Sequence, residues 1–173
     1  MNKIIISLSI LISSIAFSQV IIGSGKTALS GNSVSLEFGN ENKGLILPWV
    51  NDISSITNAA NGTMALDITT RMVKVKLNNE WMELSKASTS LINTTLQDPY
   101  SDKENAKVSI GEKIIETPGI LVLEDENKAM ILPSLESPHL NIIKPSAGMI
   151  AYDTKTKLLC VYNGTEWAFW KAE

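Results

Sequence analysis

The clearest hydrophobic pattern in the chain is an alternation of period two over residues 72–77. Val73, Val75 and Leu77 fall on one side, and two lysines lie on the other. This period predicts a β-strand with one apolar face. Two asparagines follow and can adopt the positive φ angles of a tight turn. The segment is therefore predicted to form a β-hairpin that returns over residues 80–84.

A second hairpin of the same kind is predicted near the end of the sequence. Its strands cover residues 158–162 and 166–170, joined by an Asn-Gly turn. Short strands are also predicted at residues 63–67 and 149–153, each ending in an Asp that can bond its own downstream backbone. Because no segment shows sustained helical periodicity, the predicted fold is all-β.

Two continuous apolar runs, at residues 45–47 and 130–132, are each stopped by a proline. A run of this kind favours a strand that is covered on both faces. Residues 51–61 fit either a helical turn or a loop. We expect the two apolar runs to lie in the core, one in each half of the chain.

The chain repeats itself at an offset of 85 to 86 residues. Residues 36–48 read LEFGNENKGLILP and residues 121–133 read LVLEDENKAMILP, with seven identities in 13 positions. Residues 62–81 and 148–167 share seven identities in 20 positions, including the tryptophan that ends each block. This pattern indicates one duplicated module.

The repeat divides the chain into two small modules joined by a polar segment, and a weaker match between residues 20–23 and 108–111 opens each copy. The predicted organisation is a signal peptide at 1–18, a first β-module at 19–84, a linker at 85–106 and a second β-module at 107–173. A domain of this size buries only about 60% of its surface, and short strands leave edges that need partners. We therefore expect two tandem modules of short antiparallel strands and hairpins that intertwine or pack in an oligomer.

Residues 1–18 have the three regions of a secretory signal peptide. Lys3 provides the positive start, residues 4–17 are apolar apart from small serines, and small residues precede Gln19. The apolar stretch is too short to span a membrane comfortably, which favours cleavage over an anchor. We expect the mature chain to have no membrane span and to be secreted or held at the cell surface, with the periplasm as an alternative.

Composition excludes several classes of function. The net charge of −3 gives no field for nucleic acid phosphates. A single Cys and a single His cannot build an intramolecular disulfide, a zinc ribbon or a multi-histidine metal site. The sequence has no phosphate-binding loop or nucleophile elbow, so we predict no enzyme activity, no cofactor and no metal. Cys160 is interpreted as a small buried hydrophobe, with a thiol that links two chains as the alternative.

The two copies carry a motif in three parts: Lys-Gly-Leu-x-Leu-Pro, then Gly-x-x-x-Tyr-Asp-Thr-x-Thr, then Val-Tyr-Asn-Gly-x-x-Trp. The first copy has the first part at residues 43–48, and the second copy follows the other two closely at residues 148–167. The first copy departs from them at Leu66, Lys76 and Asn78. The motif resembles a tail-fibre-like repeat of bacteria and phages. This resemblance implies a β-rich, elongated, fibre-like homotrimer used for surface display or attachment, and it implies no reaction.

Four aromatic side chains are the candidate ligand contacts: Trp81, Tyr162, Trp167 and Trp170. Indole faces suit sugar rings, although burial in a core or between chains is the commoner use of such residues. The predicted function is structural or adhesive. The alternative is a module that binds a carbohydrate or a cell surface through exposed aromatic residues and the loops at residues 51–61 and 134–147. The predicted partners are the chain itself, as a homotrimer, and a surface glycan or another fibre protein.

The first testable prediction concerns export. Cleavage after Ser18 should give a mature chain that begins at Gln19, because the small residues of the cleavage site end there. Mass spectrometry of the exported protein checks this N-terminus. Recovery of the form that begins at Met1 from the culture medium would contradict the prediction.

Overall fold

The computed structural model of the protein describes residues 19–95, 97–101, 103, 106–111, 117 and 119–171, so the predicted signal peptide lies outside the described residues. The strands of the first half are β1 (Val20–Ile22), β2 (Val34–Phe38), β3 (Leu45–Ile46), β4 (Trp49–Val50), β5 (Met64–Asp67), β6 (Met72–Leu77) and β7 (Glu80–Glu83). Those of the second half are β8 (Val108–Ile110), β9 (Leu121–Leu123), β10 (Ala129–Met130), β11 (Ser134–Leu135), β12 (Met149–Asp153), β13 (Leu158–Tyr162) and β14 (Trp167–Trp170).

Helical structure in the described ranges is limited to a 3-10 turn at Ile53–Ser55 and one short helix, α1 (Pro138–Asn141). The 3-10 turn lies in the segment for which the sequence allowed either a helical turn or a loop. The prediction of an all-β fold is confirmed. No helix of the described part of the chain is long and apolar enough to cross a membrane.

Each half forms a sheet from a short parallel strand followed by two antiparallel hairpin pairings. The strand order is β4-β5-β6-β7 in the first half and β11-β12-β13-β14 in the second. The registers are equivalent, since Leu66 faces Val73 in the first sheet and Tyr152 faces Leu159 in the second. Both predicted hairpins and both strands that end in Asp are confirmed.

The opening segments of the two halves form parallel strand pairs. In the first half β1 pairs with β2, and in the second half β8 pairs with β9. The equivalent residues Leu36 and Leu121 nevertheless differ, because Leu36 is fully buried and Leu121 is 42% exposed. Strand β2 also has a further strand, β10, on its other edge, whereas β8 and β9 pair only with each other among the described residues.

Strand pairing crosses between the halves at both proline-stopped runs. Strand β3 of the first half lies antiparallel to the start of β12 in the second half. Strand β10 of the second half lies parallel to β2 in the first half. Each run therefore pairs with the opposite half, a connection that no local sequence signal indicated.

The expectation that both apolar runs are covered on two faces is wrong. Leu47 is buried, but Ile46 between it and Leu45 is 47% exposed. Successive side chains of an extended segment point to opposite faces, and only one face of this segment lies against the core. In the second run, Ile131 and Leu132 follow the end of β10 and are half-buried.

The largest core lies between the two halves. Leu66 and Val73 from the first sheet pack in one cluster with Ile150 and Val161 from the second, and all four side chains have no exposed surface. A smaller cluster, on the other face of the second sheet, is covered by the segment around α1. The two sheets therefore bury their apolar faces mainly against each other.

The polar segment at 85–106, predicted to be a linker, contains no strand or helix in its described residues. Its first part is bound to the second half, because the Asn163 side-chain amide donates to Lys86 O at 2.9 Å. Ser88 is buried and its hydroxyl bonds that of Thr165. The domain limits proposed from the sequence remain a prediction.

The second prediction tests the shared core. Ile150→Ala should lower the free energy of unfolding by about 2–5 kcal/mol, the range for a large aliphatic side chain truncated in a packed core. The matched control is Ile46→Ala at the neighbouring, half-exposed position, for which we expect a change of about 0.5 kcal/mol or less. Urea unfolding measures both values, and equal losses would contradict the arrangement.

Candidate functional site

The joint between the two halves is the candidate functional site, because the largest core cluster and the β3–β12 strand pairing meet there. Ile46 lies opposite Met149, and Leu45 lies opposite Ile150. The Leu47 N–H extends this ladder by donating to Gly148 O at 3.0 Å. Backbone pairing of this kind orients the two halves as well as holding them together, because its register is specified at each residue.

Close packing at the joint depends on two glycines. A Cβ atom on Gly44 would lie 2.5 Å from the Met149 side chain, so β3 can approach β12 only without one. Gly148 has a φ of +78°, and a Cβ there would lie 3.2 Å from Leu66 Cβ. Both positions therefore require glycine, one for close approach and one also for its left-handed backbone.

Two indole groups bond the backbone across the joint. Trp49 Nε1 donates to Ala147 O at 2.8 Å, and Trp170 Nε1 donates to Leu84 O at 2.7 Å. These bonds satisfy a donor that would otherwise be costly to bury, while the rings add apolar contact. Ser134 stands in the place of Trp49 in the second copy, so the Trp49 bond has no equivalent there.

The four aromatic side chains singled out from the sequence do not form one site. Tyr162 and Trp167 contact each other, with ring centroids 5.1 Å apart, and both pack against the smaller core cluster. Trp81 lies in the other sheet, where Lys76 Nζ is 5.8 Å from its ring centroid. Trp170 is 39% exposed, but its polar atom already bonds the first half.

A small groove of about 200 Å³ opens at one end of the joint. Trp49, Leu91, Ile92 and Pro145 contribute to its walls. None of the four predicted ligand-contact side chains lines it. These four residues share no common surface, and their role as ligand contacts remains a prediction.

The carboxylates that end two strands serve the turns that follow them. Asp153 accepts hydrogen bonds from the backbone N–H groups of Ser137 and Lys155 and from the Thr156 hydroxyl. Burial by itself raises the pKa of Asp153, but these bonds favour the ionised form more strongly and lower the pKa to about 2. The carboxylate is therefore a structural cap.

The equivalent Asp67 caps its turn by accepting from the backbone N–H groups of Thr69 and Thr70. It also forms an ion pair with Lys74 at 2.9 Å. Burial opposes ionisation of Asp67 and is the largest single effect, but the bonds from Lys74 and Thr70 and the charge of Lys74 together outweigh it, so the pKa of Asp67 is lowered. The predicted use of both aspartates as turn caps is confirmed.

Cys160 is fully buried in β13. Burial raises the pKa of its thiol to about 11, which disfavours the reactive thiolate. The interpretation as a small buried hydrophobe is confirmed, and the alternative of a link between chains is wrong because the sulfur is enclosed. Among the described residues, no three His, Cys, Asp or Glu side chains are grouped to hold a metal ion.

Comparison with known families gives a match that covers the second half of the chain. Residues 109–172 match the phage tail like trimerisation region. The matched segment contains β9 to β14, and therefore the whole second sheet and the part of the joint that receives β3. No curated protein and no solved structure matches the chain.

The third prediction tests the Asp153 cap. Asp153→Ala should lower the free energy of unfolding by about 1–3 kcal/mol, because buried N–H donors lose their acceptor. Asp52→Ala is the matched control, since Asp52 caps the 3-10 turn at the exposed surface. For this exposed cap we expect a clearly smaller loss than for Asp153→Ala, because water can replace the lost acceptor.

Wild type and Asp153→Ala together also report how the stability that the Asp153 cap contributes depends on pH. The folded-state pKa of Asp153, about 2, lies below the ordinary value of 3.8. Its contribution is therefore fully present above pH 3.8 and is lost as the pH falls towards 2. The stability difference between wild type and Asp153→Ala should shrink over that interval, and a constant difference would contradict the assignment.

Proposed function

We propose that the protein is a secreted, non-enzymatic structural protein that assembles with itself into a fibre-like homotrimer and acts in surface display or attachment. The observation that carries the proposal is the match of residues 109–172 to a trimerisation region. This matched half is also the half that receives β3 through its backbone edge. An edge that is able to bind a neighbouring module is the kind of element that self-assembly uses.

Exposed apolar side chains at strand edges support self-association. Leu121 and Val108 belong to the two-stranded sheet of β8 and β9 and are 42% and 59% exposed. Ile22, on the edge strand β1, is 50% exposed. Apolar surface of this kind on a small β-rich chain is typical of a contact with a partner.

Binding of a surface glycan ranks second. Stacking on a sugar ring requires aromatic faces that are exposed on one surface, whereas Tyr162 and Trp167 pack inward and Trp81 lies in the other sheet. Phe169 and Trp170 are the exposed aromatic residues at this end, and Phe169 contacts His139 edge-on at a centroid distance of 5.3 Å. Phe169 and Trp170 together offer only a small aromatic surface on which a sugar ring could stack.

The fourth prediction tests self-assembly. Light scattering of the protein that begins at Gln19, the predicted mature form, should give three times the chain mass. If folding and assembly are linked, the melting temperature should rise over about a hundredfold increase in protein concentration, because mass action favours the assembled state. A well-folded monomer with a melting temperature independent of concentration would contradict the proposed function.

A further inference from the structure

The two strand pairings that join the halves are not equivalent in the repeat, so each is made once. The first half donates β3 to the start of β12, and the second half donates β10 to β2. The equivalent of the first contact, with residues 130–132 placed against residues 62–64, does not occur within the described chain. A contact of this head-to-tail kind between equivalent modules leaves one unused surface at each end, which a further copy can occupy.

The unused backbone groups are the equivalents of a bonded pair. Inside the chain, Leu47 N–H donates to Gly148 O. The corresponding positions in the other copies are Leu132 and Gly62, at offsets of 85 and 86 residues. Among the described residues, neither Leu132 N–H nor Gly62 O takes part in a backbone hydrogen bond. A donor and an acceptor of matching register are thus both open.

The open donor lies on the correct edge of its segment. Ala129 N–H donates to Ser33 O and Ile131 N–H donates to Leu36 O, each at 2.9 Å. Successive N–H groups of an extended segment point to opposite edges, so the edge that carries Leu132 N–H faces away from β2. Residues 130–132 can therefore pair with a second strand while they remain attached to the first half.

Equivalent positions of the two copies differ in how deeply they are buried, and residues 62–64 are the more exposed set. Gly148 is buried against Leu66 and Trp49, whereas Gly62 is exposed and has no atom within 4 Å of the place where a Cβ would lie. Ile150 has no exposed surface, whereas its equivalent Met64 is only partly buried. Residues 62–64 are therefore less covered than their equivalents at 148–150.

We propose that residues 62–64 of one chain form an open edge that receives residues 130–132 of a second copy of this chain. The register is the one that residues 148–150 and 45–47 adopt inside the chain, with Thr63 opposite Ile131. This inference rests on the proposed self-association and gives it a defined contact. Repetition of a head-to-tail contact closes a ring when the rotation allows it, and three chains complete the ring in the proposed trimer.

The contact between chains differs from the internal one at two positions. Ser134 stands in the place of Trp49, so the indole bond to the partner backbone is lost. Ala129 stands in the place of Gly44, where an added Cβ would lie 2.8 Å from the backbone oxygen of Ile150, so the incoming segment cannot approach its partner as closely as β3 approaches β12. Both differences make the contact between chains weaker than the internal joint and therefore dependent on protein concentration.

Disulfide trapping between separate chains tests the register. In a Cys160→Ala background, one preparation carries Thr63→Cys and a second carries Ile131→Cys. Thr63 and Ile131 are the equivalents of Met149 and Ile46, which lie opposite each other next to the hydrogen-bonded pair of Leu47 and Gly148. The Cα atoms of such a non-hydrogen-bonded pair are about 4.5 Å apart, a distance at which a disulfide can form. Mixing the two preparations under mild oxidation should give a dimer-sized band that reductant removes and a linked peptide that joins positions 63 and 131.

The matched control is the internal pair. Ile46→Cys with Met149→Cys in the same background should form a disulfide within one chain, with loss of both free thiols and no change in chain mass on a non-reducing gel. A second control mixes Ile131→Cys with Met149→Cys on separate chains, because that link would form if the second half paired with another second half. We expect no such link, since β3 already occupies that edge.

The outcomes separate this inference from the proposed function. A trimer by light scattering without the 63–131 link, or with a 131–149 link between chains, overturns the open edge and leaves self-assembly intact. A monomer at every concentration overturns both. If the cysteine variants fail to fold, hydrogen exchange of the wild type decides: the Leu132 amide should become protected as concentration rises through the assembly range, and an unprotected Leu132 amide in the assembled protein overturns the proposal.

Discussion

The burial of two sheet faces against each other is the constraint on which the rest of the structure depends. Neither half has enough chain to enclose its own apolar face, and Leu66 and Val73 reach full burial only with Ile150 and Val161 across the joint. The exchanged strands β3 and β10 hold the two faces in register. Trp49 and Trp170 then bond the opposite backbone at the margin of the joint.

Local features of the fold could be predicted from the sequence because they depend on neighbouring residues. The alternation over residues 72–77 predicted a strand, and the turn residues after it predicted the hairpin that the structure contains. Asp67 and Asp153 were predicted to cap turns, and each accepts backbone N–H groups two residues onward. In these cases a short-range hydrogen bond or a period of two decides the conformation without help from distant residues.

Long-range pairing could not be predicted in the same way. The runs ending at Pro48 and Pro133 are apolar enough to suggest buried strands, but their partners lie in the opposite half and depend on how the two sheets face each other. Exposure of Ile46 follows from that geometry, because nothing in the described chain covers its side of β3. The candidate ligand contacts failed to converge for a similar reason: Trp81 and Trp167 are equivalent in the repeat and therefore lie in different sheets.

Native-state hydrogen exchange at one equivalent pair of amides tests the shared core most directly. Leu66 N–H donates to Pro48 O and Tyr152 N–H donates to Pro133 O, both at 2.8 Å, so the two amides report the same bond in the two halves. If the halves form one cooperative unit, both amides should open with the same free energy and the same dependence on urea. Two distinct opening free energies, with one half exchanging while the other stays protected, would show that the halves fold separately and would contradict the shared core.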